Sequence, residues 1–203
     1  MDKLLAKRTL ILYQGDSITD CGRSWDDPDN LGEGYVRLLT TMLPDKYPRH
    51  KFKFINRGVS GDRVRDLVCR WDVDCISLQP DWLSILVGIN DTLITPITEF
   101  EEEYRVLLKR ATNELNSRII MCEPFLLSVD NDVYREDLNP KIEQIHKLAK
   151  EYNTVLVPLD KIFYDACSLR TPEYWAPDGV HPSPEGHTLI AISWIKYLDE
   201  ELS

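Results

Sequence analysis

Residues 82–91 read WLSILVGIND, and this stretch decides the fold. Its first six residues are apolar apart from Ser84, and a glycine, an amide and a carboxylate follow almost at once. An almost wholly apolar strand is typical of a sheet covered on both faces, because neither face of such a strand is suited to water. The stretch therefore predicts a buried strand that delivers polar groups to the edge of a sheet.

Similar short apolar runs occur on either side of this stretch, and helical patterns separate them. The other predicted strands are 9–13, 52–56, 117–122 and 154–158, and apolar residues recur at helical spacing in 35–42, 100–111, 142–149 and 189–198. The last helix has a clear start, since Ser183 can cap it and Pro184 suits its first position. We therefore predict an α/β fold with five strands, each followed by a helix, and a parallel sheet with helices on both sides.

Length and charge narrow the class of protein further. A chain of 203 residues predicts one domain spanning residues 1–203. A net charge of −10 disfavours a nucleic-acid binder and a protein held on anionic lipid, but it leaves neutral sugars and esters open as substrates. Five cysteines without a CxxC pair favour a reducing compartment. With neither a signal peptide nor a membrane span in the sequence, we predict a cytoplasmic protein.

Candidate functional residues follow the first three strands. Ser17 comes shortly after the first strand, and Gly15 lets the backbone turn sharply before it. After the second strand, Gly58 and Gly61 could expose backbone N–H groups to a ligand. After the third strand, Asn90 could place an N–H donor in the same cleft, because ligands of open parallel sheets bind beyond the carboxyl ends of the strands. Taken singly, each segment is also an ordinary turn or helix cap.

A late loop supplies an acid and a base. Asp178 and His181 are three residues apart in a segment stiffened by Pro177 and Pro182, so the carboxylate can orient the imidazole and leave Nε2 free. For the other histidines, a structural or surface role is expected; they are His50, His146 and His187. A nucleophile, a base with its orienting acid, and oxyanion donors at one sheet edge predict a hydrolytic site.

These segments together resemble the sequence blocks of the SGNH hydrolases, also called GDSL esterases. The blocks are Gly15-Asp16-Ser17-Ile18-Thr19, then Gly58 within Asn56-Arg57-Gly58-Val59-Ser60-Gly61, then Gly88-Ile89-Asn90-Asp91, and finally Asp178-Gly179-Val180-His181-Pro182. The resemblance implies a flavodoxin-like, three-layer α/β/α sandwich with a five-stranded parallel sheet. It also implies that Ser17 is the nucleophile, His181 the base and Asp178 its partner, with Ser17, Gly58 and Asn90 forming the oxyanion hole.

A narrower resemblance points to a substrate. Residues 16–23, 32–36 and 61–67, with Arg70-Trp71, are similar to the bacterial acetylxylan-esterase type of this family. The segment 92–99 is shorter than in that type, and no aromatic residue follows Asp91. This likeness implies a serine esterase that removes acetyl groups from carbohydrates, with a small-molecule ester or an acetylated oligosaccharide as substrate and no metal or organic cofactor. It also implies that the esterase could form a homo-oligomer, which the sequence itself does not indicate.

Two other functions remain as alternatives. The same residues could serve a lysophospholipase or thioesterase acting on longer acyl chains, although Trp25, Tyr174 and Trp175 suit sugar stacking at least as well. A non-catalytic binding module, for example for a nucleotide, is disfavoured, because Gly32-Glu33-Gly34 follows no strand and Arg37 stands where the third glycine of that motif belongs. Three further charged residues could shape the leaving-group side or form structural ion pairs: Asp20, Arg57 and Arg63.

Overall fold

The computed structural model describes residues 8–127 and 132–202. Its strands are β1 (Arg8–Gly15), β2 (Lys51–Gly58), β3 (Trp82–Leu86), β4 (Arg118–Cys122) and β5 (Val155–Val157). All adjacent pairs are parallel, and the strand order is β2-β1-β3-β4-β5. The predicted five-stranded parallel sheet is therefore confirmed.

Helices cover both faces of this sheet. They are α1 (Ser17–Asp20), α2 (Tyr35–Lys46), α3 (Val64–Asp74), α4 (Ile97–Glu114), α5 (Asp132–Glu151), α6 (Leu159–Ala166), α7 (Pro172–Trp175) and α8 (Pro184–Leu202). Side chains of α2, α6 and α8 form one core with Ile11 and Tyr13 of β1, whereas α3, α4 and α5 pack with Leu12 on the opposite face. Alternate residues of a strand point to opposite faces, so a central strand between two helical layers is largely apolar, as in β3, where Ser84 is the one polar residue.

The start of α8 confirms one local prediction. The helix begins at Pro184, and the Ser183 hydroxyl accepts the backbone N–H of Gly186 at 3.0 Å. Among the described residues, four helices lie outside the four segments whose periodicity we identified: the one-turn helices α1 and α7, and the longer helices α3 and α6. The two longer helices are the ones that a periodic pattern could have revealed. Each has an amphipathic pattern of its own, with Val64, Leu67 and Trp71 buried in α3.

The strand order creates a crevice at the carboxyl ends of three strands. From β1 the chain passes first to β2 on one side and then to β3 on the other, so the direction of winding reverses at β1. Gly15 pairs with Gly58 of β2 and with Leu86 of β3, which places the three strand ends level. Such a switch point is where open α/β sheets bind ligands.

In the described part of the chain, no helix has both the length and the apolar character needed to cross a membrane. Residues 1–7, in which we predict no signal peptide, lie outside the described residues.

Candidate active site

The turn between β1 and α1 presents Ser17. A Cβ on Gly15 would lie 2.3 Å from the carbonyl oxygen of Leu86, so only glycine fits where β1 ends beside β3. Asp16 then caps α1, accepting the backbone N–H of Ile18 at 3.0 Å. Ser17 is thereby held as the first residue of α1, at the edge of the sheet.

Ser17, His181 and Asp178 form a hydrogen-bonded chain. His181 Nε2 lies 2.9 Å from Ser17 Oγ, and His181 Nδ1 lies 2.6 Å from Asp178 Oδ2. An ionised carboxylate only accepts hydrogen bonds, so Nδ1 carries the proton and Nε2 accepts the hydroxyl proton of Ser17. The structure thus brings together the three residues predicted to act as nucleophile, base and acid.

The loop that carries Asp178 is tightly bonded. Asp178 Oδ1 accepts the backbone N–H groups of Val180 at 2.9 Å and His181 at 2.7 Å. Burial raises the pKa of Asp178, but the hydrogen bonds from the His181 side chain and these two N–H groups outweigh burial and hold the pKa below its usual value. Asp178 therefore stays ionised at neutral pH and acts as a fixed acceptor for the imidazole.

Asp16, beside the nucleophile, has an unusual environment. The residue is fully buried, and its Oδ2 has no hydrogen-bond partner among the described residues. Burial raises the pKa of Asp16 to about 7, although the Ile18 N–H and the nearby His181 oppose that rise. This carboxyl changes its charge close to neutral pH, next to the catalytic serine candidate.

Asn90 lies in a 3-10 turn, Ile89–Asp91, directly after β3. Its Nδ2 donates to the carbonyl oxygen of Asp62 at 3.0 Å, so the amide contacts the loop that follows β2. The buried Asp91 ties the same turn to α3, since its Oδ2 accepts the backbone N–H of Val64 at 3.1 Å. The turn thus places Asn90 where the first three strands end.

The prediction that Gly58 supplies an oxyanion donor is wrong in this structure. Its N–H donates to the side-chain oxygen of Asn56 at 2.8 Å, and a Cβ on Gly58 would lie 2.3 Å from the backbone nitrogen of Asp20. Gly58 is therefore a packing glycine at the end of β2, where the α1 backbone approaches closely. Its N–H is not free for a ligand.

The same loop has another glycine whose N–H is free. Of the six N–H groups in residues 58–63, five are bonded: Gly58 to Asn56, Val59 to Gly15, Ser60 to Asp20, Asp62 to Val59 and Arg63 to Asp66. The N–H of Gly61 makes no hydrogen bond to any residue that the structure describes. Gly61 has φ +87°, and no atom of a described residue lies within 4 Å of the position that a Cβ would take. Gly61 directly precedes Asp62, the residue that Asn90 contacts. This position favours Gly61 over Gly58 as the glycine of this loop that could bind a ligand.

The three charged residues left open have local partners. Asp20 is buried, and its Oδ2 accepts both the backbone N–H of Ser60 at 3.0 Å and the Ser60 hydroxyl at 2.8 Å. Arg57 lies 3.5 Å from Asp74, and Arg63 lies 3.5 Å from Asp66. These contacts favour the structural interpretation, with Asp20 fixing the loop after β2.

The other histidines lie outside the triad. His187 is buried, its Nδ1 accepts the backbone N–H of Tyr35 at 3.2 Å, and its Nε2 lies 3.3 Å from the sulfur of Cys21. Burial, and then the charge of His181, lower the pKa of His187 to about 4, so this ring is neutral at physiological pH. His146 binds the carboxylate of Glu123, and His50 packs edge-on against Tyr47.

Comparisons with known proteins agree with this geometry. The GDSL-like lipase/acylhydrolase family model matches residues 14–189. An acetylxylan esterase of Geobacillus stearothermophilus is 31% identical, with 94% of each chain covered. The crystal structure of an acetylxylan esterase from the same organism superposes with a TM-score of 0.87 at 31% identity, over 93% of each chain. A GDSL-like lipase structure from Parabacteroides merdae reaches a TM-score of 0.91 at 36% identity, over 95% of this chain and 96% of that chain.

Two further comparisons bear on activity. Catalytic mutants of the Geobacillus esterase replace a serine, an aspartate and a histidine by alanine, and its aspartate and histidine are three residues apart. The thioesterase 1/protease 1/lysophospholipase L1 of Escherichia coli K12 is 28% identical over 84% of this chain and 80% of its own length. The fold, the match over most of the chain and these relatives show that the chain belongs to the GDSL-like lipase/acylhydrolase family and is a carboxylic ester hydrolase.

Proposed function

We propose that this protein is a serine esterase that removes short acyl groups, chiefly acetyl groups on carbohydrates, through a covalent acyl-enzyme. The observation that carries the proposal is the continuous hydrogen-bonded chain from Asp178 through His181 to Ser17, with distances of 2.6 and 2.9 Å. A hydroxyl in this setting becomes a nucleophile, because the imidazole can take its proton as the new bond forms.

The reaction has two steps, acylation of Ser17 and hydrolysis of the acyl-enzyme. Ser17 Oγ attacks the ester carbonyl while His181 Nε2 takes the hydroxyl proton, and a tetrahedral oxyanion forms. As the intermediate collapses, the bond to the alcohol breaks, and His181 returns the proton to the departing oxygen. Water then attacks the acyl-serine with His181 again as base, which releases the carboxylic acid and restores the Ser17 hydroxyl. Throughout, Asp178 holds the imidazole and stabilises its charged form.

Three donors are available for the oxyanion. We assign the Asn90 amide, the N–H of Gly61 and the N–H of Ser17, which starts α1 and makes no hydrogen bond to a described residue. Donors already fixed before reaction stabilise developing charge without reorganisation, and they are commonly the largest electrostatic contribution to catalysis.

An exposed aromatic side chain supports a carbohydrate substrate. Trp25 is 61% exposed, and one face of its indole lies against the guanidinium of Arg23, with 5.3 Å between Cζ and the ring centroid. Arg23 in turn donates through Nε to the carbonyl oxygen of Gly58 at 2.8 Å, which anchors the stack at the end of β2. An indole that rests on a guanidinium and is largely exposed suits the apolar face of a sugar ring. The acetylxylan esterase relative favours the same substrate class.

A second candidate, hydrolysis of longer acyl esters, also has a specific observation in its favour. Beyond the Asn90 turn, three apolar side chains are exposed: Leu93 at 48%, Ile94 at 64% and Ile97 at 39%. Apolar side chains beside a hydrolytic site could bind a fatty acyl chain. The thioesterase and lysophospholipase relative is consistent with that activity.

Hydrolysis of p-nitrophenyl esters from acetate to octanoate tests both candidates. The wild type is compared with Ser17→Ala and with Ser168→Ala, an exposed serine on the surface. We expect acetate to be the best substrate, with activity lost in Ser17→Ala and retained in Ser168→Ala. A rate that is highest with octanoate would instead identify esters of longer acyl chains as the substrate class. No hydrolysis, or an active Ser17→Ala, would refute the triad and favour a binding role.

A further inference from the structure

Lys141, near the middle of α5, has a fully buried side chain at 0% exposure. A lysine ammonium in a protein interior is unfavourable unless it is paired, and lysine is among the residues found least often in that position. Because the lysines of a surface helix are normally exposed, the burial of Lys141 indicates a specific role for its ammonium group.

The ammonium of Lys141 pairs with Asp137, one helical turn earlier. The same oxygen of Asp137 accepts the backbone N–H of Leu93 at 2.8 Å. Leu93 has φ +62°, a left-handed conformation that is unfavourable for a branched side chain. The Lys141–Asp137 pair therefore holds a strained backbone position three residues after Asn90.

Lys141 is also linked, through Phe100, to the start of the Asn90 segment. Its Nζ lies 6.0 Å from the ring centroid of Phe100, at the distance of a cation–π contact. The Phe100 ring packs against Gly88, where a Cβ would lie 3.4 Å from its edge. Gly88 has φ +134° and directly precedes the turn that carries Asn90. Through Asp137 on one side and Phe100 on the other, Lys141 is thus linked to residues that flank Asn90 on both sides.

The positive charge of Lys141 also affects the pKa of a carboxyl group inside the turn. Asp91 is buried and accepts the Thr95 hydroxyl at 2.7 Å, in addition to its bond from α3. Burial raises the pKa of Asp91, and the bonds from Thr95 and Val64 oppose the rise, as does the positive charge of Lys141. The ammonium therefore favours the ionised form that ties the turn to α3.

We propose that Lys141 is a positioning residue for the oxyanion hole: paired with Asp137 and packed on Phe100, it holds the segment 88–93 so that the Asn90 amide stands ready for the oxyanion. This inference rests on the proposed function, because it assigns Asn90 as an oxyanion donor. Lys141 itself touches neither the substrate nor the triad in this scheme.

The test uses Lys141→Met, which keeps the length of the side chain and removes its charge. A displacement of about 1 Å at a catalytic group can reduce a rate by about 10²-fold. We therefore expect kcat for p-nitrophenyl acetate to fall about ten- to hundredfold with little change in KM. Lys147→Met, which alters an exposed lysine of the same helix, should retain wild-type kinetics. An unchanged kcat in a folded Lys141→Met variant would refute the proposal.

A double-mutant cycle with Asn90→Ala separates positioning from general damage. If Lys141 acts through Asn90, Lys141→Met should reduce kcat in the wild-type background but hardly at all in the Asn90→Ala background. An equal loss in both backgrounds would contradict the proposal. Should Lys141→Met fail to fold, Asp137→Asn carries the same cycle, because its amide oxygen can still accept the Leu93 N–H while the charge pair is lost.

This design keeps the two proposals distinct. Wild-type protein without Ser17-dependent hydrolysis would refute the proposed function itself. Ser17-dependent hydrolysis with equal losses in both backgrounds would refute only the role of Lys141.

Discussion

Asn90 Nδ2 donates to the carbonyl oxygen of Asp62 at 3.0 Å, which joins the turn after β3 to the loop after β2. The amide nitrogen carries two hydrogens, so this bond orients the group and leaves a second N–H for an oxyanion. The neighbouring donor assigned to Gly61 belongs to the same loop as Asp62. One hydrogen bond therefore sets the relative position of two of the three proposed oxyanion donors.

Removing this amide should reduce turnover. We expect Asn90→Ala to lower kcat for p-nitrophenyl acetate by about 10²–10³-fold, the usual effect of losing one oxyanion donor. Steady-state kinetics measure the effect, with Asn113→Ala on the exposed face of α4 as the matched control. Turnover within a factor of two of wild type would remove Asn90 from the catalytic group.

Asp178→Asn tests the orientation of the imidazole. An asparagine amide can donate to Nδ1 and favour the tautomer whose Nε2 carries hydrogen, which cannot accept the Ser17 proton. We expect kcat to fall on the order of 10⁴-fold, as when a triad carboxylate becomes an amide. The surface change Asp45→Asn on α2 is the control. If Asp178→Asn kept most of its activity, the carboxylate could not be the group that orients His181.

Trp25→Ala tests the carbohydrate assignment. Loss of the indole should raise KM for an acetylated xylooligosaccharide severalfold while leaving p-nitrophenyl acetate kinetics unchanged, because only the oligosaccharide offers a sugar ring to stack. Tyr164→Ala, which removes an aromatic side chain of α6 that is 74% exposed, is the control. Equal effects on both substrates would argue against a sugar platform at Trp25.

Two buried groups should impose opposite pH dependences on stability. The pKa of His187 is lowered to about 4, so between pH 6.5 and 4 the unfolded chain binds a proton that the folded chain does not, and acid destabilises the fold. The pKa of Asp16 is raised to about 7, so between pH 4 and 7 the folded chain holds the extra proton, and a rise in pH destabilises the fold. Each slope can reach about 1.4 kcal/mol per pH unit.

Urea denaturation of the wild type, His187→Gln and Asp16→Asn between pH 4.5 and 6.5 measures these slopes. The free energy of unfolding of wild type minus that of His187→Gln should increase as pH rises, whereas the difference from Asp16→Asn should decrease. Parallel curves for all three proteins would show that neither group titrates as its burial implies.

Much of the fold could be predicted from the sequence because strand burial leaves a local pattern. The apolar stretch at 82–87 and the cap at Ser183 needed only neighbouring residues to be interpreted, and β3 and α8 occur where predicted. Helix α3 was not identified, although its buried Val64, Leu67 and Trp71 repeat at helical spacing. The run is short, and it directly follows the glycine-containing loop 58–61, whose turn signal is stronger than the helical one.

The site was less predictable where hydrogen bonds decide the role of a residue. Gly58 and Gly61 look equivalent in the sequence, and only the bond from Gly58 to Asn56 shows which N–H is already used. A similar limit applies to Lys141, because a lysine in an amphipathic helix is normally predicted to be exposed. Its burial depends on Phe100 and Asp137, which come together only in the folded chain.

The Ser17–His181 contact joins residues that are 164 positions apart. A nascent chain whose residues 178–181 are still inside the ribosome lacks the proposed base for its proposed nucleophile. Helix α8 packs with α2 in one core, and the backbone N–H of Ser183, directly before it, donates to the carbonyl oxygen of Trp175 at 2.8 Å, which closes the segment 175–183. Ester hydrolysis during synthesis should therefore begin only after residues 178–181 have left the ribosome, so that the activity of a nascent chain reports the folding step that joins these two distant segments.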